Sequence, residues 1–400
     1  MAGSVAVVGL VGAVTGDAAA KNRATLGDGC VLSVDSLDVL YVIKGRLKAR
    51  MGISASDITS VSVDKKTKDV TAKLVVLDCD ENSGRTMTWT RAWLDARLEN
   101  TAAYALHVKK NYAKAAEGFA RAVADDPTWE IPADNLASAK QMGGKPDDAM
   151  TALAPWLTSH PLQTYMKIAL DPELAPLLDR PELAPLRAKI PGTAAIGVNG
   201  FFADGVAINP DGTVLAVTRD EPSWGGCNFG IELELRDAKS GAVLAHAPTF
   251  AFDDTDGDCD DTNKGSPIAK RKAAVAARIA IENKALAQLG FSTPAGIERG
   301  VPGEKQDTTR FGKAKLGVAT SNDGVFRVLS KDSIIAQGKG LEHLQDGYYV
   351  AQPRTIVLQT TRAGREGCEG TDPSDITVIP LPASPTTPVP AKPASPLKPR

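Results

Sequence analysis

The first part of the chain, residues 21–95, carries one helix-like and two strand-like patterns of apolar positions. Apolar residues recur at helical spacing through 37–51, and Gly52 is a natural stop for a helix. Two β-rich runs, 58–63 and 70–77, flank a polar turn and predict a hairpin. These patterns predict a small α/β module.

The next stretch repeats one pattern of large, small and proline residues at a spacing of 34 residues. Small residues let two antiparallel helices approach closely, large residues fill the space between helix pairs, and each proline follows a second helix. The spacing predicts first helices at 96–109 and 130–143 and second helices at 112–125 and 146–158. The equivalent pairs are Tyr112 and Pro146, Ala115 and Ala149, Phe119 and Leu153, Ala122 and Trp156, and Pro127 and Pro161.

Two such repeats are too few to bury a continuous core, so a cap is expected after them. Residues 162–170 form another helical piece. The segments 171–177 and 180–186 echo each other as proline-opened helical turns, each presenting two leucines. They predict a cover for the last repeat that extends the helical region to residue 190.

From residue 195 to 381 the pattern changes to strands around one long helix. Strands at 206–217 surround a Pro-Asp-Gly turn, and a second hairpin follows at 231–245. The helix begins after Ser266 and ends at Gly290. The pattern predicts a β-rich α+β domain with the helix on one sheet face. Further strands are predicted at 316–319, 325–329, 334–336, 348–351, 356–359 and 376–381.

Both termini differ in composition from the rest of the chain. The apolar run 5–14, followed by small residues up to Ala20, predicts a signal peptide over 1–20 and an exported, periplasmic or extracellular protein. A buried N-terminal strand in a cytoplasmic protein is the alternative. The proline-rich segment 382–400 cannot build a core and predicts a disordered, solvated tail.

Composition limits the classes of partner. The chain of 400 residues is 43% apolar, so it can bury cores, and 46 basic against 48 acidic residues give a net charge of −2. Such a balance favours neither nucleic acid nor an anionic membrane. No segment has the length of a transmembrane helix, so we expect no integral membrane span.

The five cysteines are widely spaced and form no CxxC motif, which argues against a zinc site. Export would favour disulfides, and the two cysteines that precede the repeats could pair with each other. Reduced thiols in a cytoplasmic protein are the alternative. The disulfide candidates are Cys30, Cys79, Cys227, Cys259 and Cys368.

The densest polar segment, 253–261, suggests a calcium site as an alternative to no cofactor. Hard cations bind converging carboxylates. However, Cys259 stands where a calcium loop of the EF-hand type has its glycine, and no glutamate lies in register. A solvated acidic loop before a helix N-terminus, where negative charge is favoured, explains most of the segment. The candidate ligands are Asp254, Asp256, Asp258 and Asp260.

No catalytic motif is present in the sequence. The four histidines lie far apart, and none belongs to an HExxH motif or lies near a GxSxG serine; a P-loop is also missing. We therefore predict no enzymatic activity. A hydrolase would require His246 or His343 to meet acidic residues in space.

The pattern repeated between Tyr112 and Pro161 resembles the tetratricopeptide repeat (TPR). The leucine-proline segment behind it resembles the closing segment found after such repeats in many bacterial proteins. The resemblance covers residues 96–190 and implies that the inner face of the first helices binds an extended peptide. The alternative is that the flanking domains cover this face. That face lacks the paired Lys and Asn with which some relatives hold a C-terminal carboxylate. Its residues are Arg97, Asn100, Tyr104, His107, Asp134, Ser138 and Gln141.

Together these features predict a multidomain α+β protein with TPR-like helical hairpins between an N-terminal α/β module and a C-terminal β-rich α+β domain. The expected function is a non-enzymatic scaffold for protein or peptide partners, in the bacterial cell envelope. The alternatives are an envelope binding module that takes calcium or a small ligand at 253–261, and a hydrolase.

Overall fold

The chain is a mixed α+β protein of helices and antiparallel sheets. The structure is a computed structural model. It describes residues 22–36, 38–78, 81–194, 196–199, 202–222, 229–247, 267–302, 308–320, 325–330, 333–339, 343–361 and 374–382. Within these ranges, every helix is too short or too polar to cross a membrane.

The N-terminal part consists of strands in two antiparallel sheets, with orders β1-β2-β3-β4 and β5-β6-β7. The predicted hairpin is confirmed, because Val63 at the end of β5 pairs with Val70 at the start of β6. The strands are β1 (Asn22–Gly27), β2 (Cys30–Val34), β3 (Val39–Lys44), β4 (Leu47–Ser54), β5 (Asp57–Val63), β6 (Val70–Asp78) and β7 (Glu81–Trp89).

The predicted helix at 37–51 is wrong, and with it the α/β description of this part of the chain. The segment is the hairpin β3–β4, closed by a two-residue turn in which Gly45 adopts a φ of 60°. Alternate residues enter the core, with Leu40 and Val42 at 0% exposure. The apolar spacing fits both a helix and a hairpin, and the left-handed glycine decides for the hairpin.

Five helices follow, and the helix positions predicted from the 34-residue spacing are confirmed, although the first helix begins earlier. Thr90 accepts a hydrogen bond from the Trp93 N–H at 3.1 Å, which starts that helix at Arg91. The helices are α1 (Arg91–Val108), α2 (Tyr112–Asp125), α3 (Glu130–Met142), α4 (Pro146–Ser159) and α5 (Pro161–Leu170).

Small residues bring α1 and α2 together, as the sequence predicts. A Cβ added to Gly118 would lie 2.7 Å from the Cβ of Ala103, so a larger residue would push the helices apart. Phe119 and its counterpart Leu153 are both fully buried. The large residues therefore fill the space that the small ones create.

The backbone itself repeats with the same period of 34 residues. Lys110 and Gly144, which lie in the turns after α1 and α3, both adopt a left-handed conformation, with φ of 60° and 76°. The N–H groups of the next residues, Asn111 and Lys145, each donate to a carbonyl five positions back, both at 2.9 Å. The two helical hairpins are therefore structural copies of each other.

This equivalence predicts the effect of one substitution. Lys110 carries a side chain where its counterpart is a glycine, and the left-handed conformation costs a non-glycine residue about 1–2 kcal/mol. Glycine would lose more entropy on folding, which offsets part of the gain. We expect Lys110→Gly to raise the free energy of unfolding by about 0.5–1 kcal/mol in urea titrations. Gly144→Ala should lower it by a similar amount, and a destabilising Lys110→Gly would contradict the equivalence.

Two short 3-10 helices, Ala175–Asp179 and Pro181–Leu186, follow α5. Leu174, Leu177 and Leu183 are at most 1% exposed and join the core that contains Leu153 of α4. The leucine-proline segment therefore covers the second hairpin, as predicted.

The remaining elements form further antiparallel sheets and one long helix, and the predicted hairpins, helix and later strands are confirmed. The elements are β8 (Gly197–Asn199), β9 (Phe202–Asp204), β10 (Val206–Ile208), β11 (Val214–Pro222), β12 (Phe229–Asp237), β13 (Val243–His246), α6 (Pro267–Gln288), β14 (Glu298–Arg299), β15 (Val301–Pro302), β16 (Thr308–Phe311), β17 (Leu316–Thr320), β18 (Val325–Ser330), β19 (Ser333–Lys339), β20 (His343–Val350), β21 (Thr355–Thr361) and β22 (Ser374–Pro380).

These elements pack in layers. Ala216 of β11 faces the core shared with α5 and α6, whereas Leu215 and Val217 face the sheet β14-β20-β21-β22. In the sheet β14-β20-β21-β22, Val357 faces the sheet β10-β11-β12-β13. Its neighbour Ile356 faces the sheet β15-β16-β17-β18-β19. Both inner sheets are therefore covered on both faces. The core that holds α6 also includes residues of α4 and α5, so it continues across the predicted boundary near residue 190.

Candidate functional site

The predicted partner-binding face lies along α1 and α3, and part of it contacts a later segment of the same chain. Ser138 is buried and the other six side chains are partly buried. Three of them, His107, Asp134 and Ser138, have partners on α5 or in the loop that follows it. Three features define this face: an ion cluster around Lys167, a shared carboxylate at Glu173, and a stacked arginine at Arg97.

Lys167 of α5 forms the ion cluster with two carboxylates of α3. Its Nζ lies 2.7 Å from Glu130 Oε2 and 2.7 Å from Asp134 Oδ2, and each of the three side chains is only about a fifth exposed. Burial raises the pKa of Asp134 to about 6, although the ammonium of Lys167 opposes the shift. The Lys167 ammonium thus joins α5 to the second hairpin. Without it, two largely buried carboxylates would lack a countercharge and would destabilise the fold.

One carboxylate oxygen, Glu173 Oε2, binds both hairpins. It accepts a hydrogen bond from His107 Nε2 of the first hairpin at 2.9 Å and another from Ser138 Oγ of the second. The hydrogen bond from His107 holds the pKa of the Glu173 carboxyl below its usual range, with a smaller contribution from Ser138. The loop after α5, through Glu173, therefore occupies the part of the inner face where the two hairpins meet.

Aromatic rings surround this contact on the side of α1. The rings of Tyr104 and His107 stack with centroids 6.2 Å apart, and Tyr112 meets His107 edge-on at 5.2 Å. Burial, followed by the charges of Glu173 and Asp171, raises the pKa of Tyr104. The Nδ1 atom of His107 and the Oε1 atom of Gln141, which are equivalent positions of the two hairpins, are buried without a partner among the described residues.

Arg97 lies at the opposite end of the face. Its guanidinium stacks between Trp93 and Trp129, 3.6 Å and 3.9 Å from the ring centroids, and pairs with Asp126. Asn100 accepts a hydrogen bond from Asn135 at 3.0 Å. These contacts fix α1 against the loop before α3, so this end of the face also has intramolecular partners.

Lys167 and Glu173 are the residues of this candidate site that the sequence did not point to. Both belong to the segment interpreted only as a hydrophobic cap. The pattern of charges could have indicated them. Lys167 and Glu173 are charged residues in a segment that is otherwise rich in leucine. The surface that this segment was predicted to cover carries Asp134 and His107, which can pair with them.

The ion cluster adjoins a histidine–carboxylate pair of the C-terminal sheet. His246 Nδ1 lies 2.6 Å from Glu232 Oε1, and this hydrogen bond raises the pKa of His246. Gln163 of α5 binds the backbone N–H and carbonyl of His246 at 2.7 Å and 2.9 Å. Gln163 thus fastens α5 to β13. His246 does meet an acidic residue, as a hydrolase would require, whereas for His343 the structure describes the backbone and not the side chain.

Among the described residues, Glu282 of α6 is the most deeply buried carboxylate with an unpaired oxygen. Its side chain is 4% exposed, and Arg278 Nε donates to its Oε1 at 3.2 Å. Its Oε2 is buried and has no partner among the described residues. Burial raises the pKa of Glu282 to about 7. The carboxyl group therefore titrates near neutral pH inside the core.

Several predicted sites lie outside the described residues: the segment 1–20, the acidic loop 253–261 and the tail 383–400. Among the residues that the structure does describe, no three metal-binding side chains cluster. Cys30 is a buried free thiol, with the Arg91 guanidinium 3.6 Å from its Sγ, whereas the sequence had suggested a disulfide with Cys79. Cys79, Cys227, Cys259 and Cys368 also lie outside the described residues.

A groove of about 880 Å³ opens where four loops meet, away from the hairpins. This volume falls within the range of about 300–1,000 Å³ that is common for ligand sites. Its walls are rich in proline and carry an exposed isoleucine. The principal apolar lining residues are Ile190, Pro191, Ile208, Pro210, Pro294 and Pro353.

Comparison of the chain with protein-family models, with curated proteins and with solved structures finds no match.

Proposed function

We propose that this protein is a non-enzymatic scaffold in which two TPR-like hairpins join two β-rich parts and bind a protein or peptide partner. The observation that carries the proposal is the 34-residue repeat of helix ends, left-handed turns and turn hydrogen bonds. Repeats of this kind contact only their neighbours and present an extended inner surface to a partner.

Contacts at both ends support the role of a connector. Leu94 and Leu98 of α1 belong to the core of the N-terminal sheets. Met150 and Leu153 of α4 belong to the core that contains the sheet β10-β11-β12-β13. Because the hairpins share a core with each neighbour, they would hold the two parts in one orientation.

The inner face would bind an extended segment beside Tyr104, in the manner that the TPR resemblance implies. Tyr104 is partly exposed, and its ring offers a flat apolar surface next to the Glu173 carboxylate. An envelope location, with export directed by residues 1–20, is part of this proposal.

A photo-crosslinking experiment tests the surface. We expect p-benzoylphenylalanine in place of Tyr104 to crosslink the full chain to one discrete partner in cells of its source. The same residue in place of Glu117, which is exposed on α2, should give no such product because it lies off the inner face. Equal crosslinking at both positions, or none at Tyr104, would count against a partner on this face.

A further inference from the structure

The proline-lined groove is built from loops that the rest of the fold holds in place. The Gly192 N–H donates to the Ala287 carbonyl at 2.8 Å, and the Ala188 N–H donates to the Gln288 carbonyl at 2.9 Å. One wall of the groove thus caps the C-terminal end of α6. Ile208 pairs with Ser292 through two backbone hydrogen bonds of 2.9 Å, which fixes a second wall. The groove is therefore a preformed surface.

An exposed apolar side chain stands in this groove. Ile190 is 82% exposed, the highest value among the exposed large apolar residues of the described chain. Pro210 and Pro353 lie in the same groove, and the Cδ atom of Pro353 is 3.7 Å from the Cβ position of Gly212. Exposed apolar patches commonly mark surfaces that another segment or molecule covers.

The end of the described chain lies at the edge of the groove. The Leu381 N–H donates to the Arg354 carbonyl at 2.8 Å, and Arg354 Nη1 donates to the Pro382 carbonyl. Arg354 directly follows Pro353, which lines the groove. The chain after Pro382 thus starts next to this apolar surface.

We propose that the proline-rich segment 383–400 of the same chain occupies the groove lined by Ile190 and Pro353. The 18 residues after Pro382 include six prolines, with Val389 and Leu397 as apolar anchors. A proline-rich segment favours the extended polyproline II conformation, which rises about 3.1 Å per residue, so it loses little entropy on docking. A tether this short keeps the segment at a local concentration in the millimolar range, which a free partner rarely reaches. The chain's own segment is therefore favoured over a second copy or another protein.

Hydrogen exchange of the full chain tests this inference. We expect the backbone amides of 188–194 to exchange about tenfold more slowly in the full chain than in a chain that ends at Pro382. A synthetic peptide of residues 383–400 added at millimolar concentration should restore the protection. Ile190→Asp in the full chain should abolish it, because a carboxylate in the groove opposes apolar docking.

The matched control is Ile334→Asp. Ile334 is also exposed, at 52%, and lies on β19, so this variant should keep the protection of 188–194. Equal exchange in the full and shortened chains would overturn the proposal and would mean that the groove is open to another occupant. Protection that survives Ile190→Asp would overturn it as well.

Discussion

Lys167→Met is expected to lower the free energy of unfolding by about 3 kcal/mol at pH 8. Removing one partner of a buried ion pair typically costs about 3–5 kcal/mol, and the lower end applies because about a fifth of each side chain remains exposed. The variant leaves Glu130 and Asp134 beside each other without the shared ammonium. The deficit should shrink as the pH is lowered to about 5, because protonation of Asp134, whose pKa burial raises to about 6, removes its uncompensated charge. Urea unfolding at several pH values measures both effects.

Two control variants separate the ion cluster from a general loss of charge. Lys145→Met, in the exposed turn before α4, should change the stability by less than about 0.5 kcal/mol. Adding Glu130→Gln and Asp134→Asn to Lys167→Met should restore most of the loss, since no buried charge then lacks a partner. If the triple variant stays as unstable as Lys167→Met, the deficit has another origin.

Glu282→Gln is expected to remove a large part of the pH dependence of stability. Burial raises the pKa of Glu282 from its ordinary value of 4.5 to about 7 in the folded chain. Its contribution to stability is therefore complete below pH 4.5 and is lost as the pH rises to about 7. Each pH unit in that window corresponds to about 1.36 kcal/mol. The free energy of unfolding of the glutamine variant, relative to that of the unmodified chain, should thus rise by about 3 kcal/mol between pH 4.5 and pH 8.

Chemical unfolding across this pH range provides the measurement. Glu117→Gln, an exposed glutamate on α2, serves as the control and should follow the unmodified chain at every pH. Burial also raises the pKa of Asp134 to about 6, so its ionisation lowers the free energy of unfolding as the pH rises. This decrease is the same in both chains and cancels in the comparison. Parallel curves for Glu282→Gln and the unmodified chain would show that Glu282 is already ionised in the folded state near neutral pH.

The helical part of the fold could be predicted because its signals are local. Small residues such as Ala115 and Ala149 mark the close approach of helices, and prolines such as Pro146 and Pro161 occupy first helical positions. The segment 37–51 could not be assigned in this way. Its apolar spacing fits a helix, and only the conformation of Gly45 distinguishes it from a hairpin.

Which segment covers part of the inner face could not be predicted, because the contact depends on distant parts of the chain. His107 and Glu173 are separated by 66 positions, yet their side chains meet at 2.9 Å. The contact arises because α5 ends at Leu170 and the chain then turns, which carries Glu173 back to both hairpins. The repeat spacing identifies which residues line the face and carries no information on what lies against them.

On the proposed function, the hairpins hold the two β-rich parts in one fixed orientation. The most direct measurement is the distance between spin labels placed on Lys66 and Lys239, which are exposed in turns of the two parts. Labels attached through non-natural side chains leave the native cysteines unchanged, and pulsed electron spin resonance gives the distance distribution. We expect a single narrow distribution in the full chain, which broadens in Lys167→Met. A broad or two-peaked distribution in the unmodified chain would contradict it.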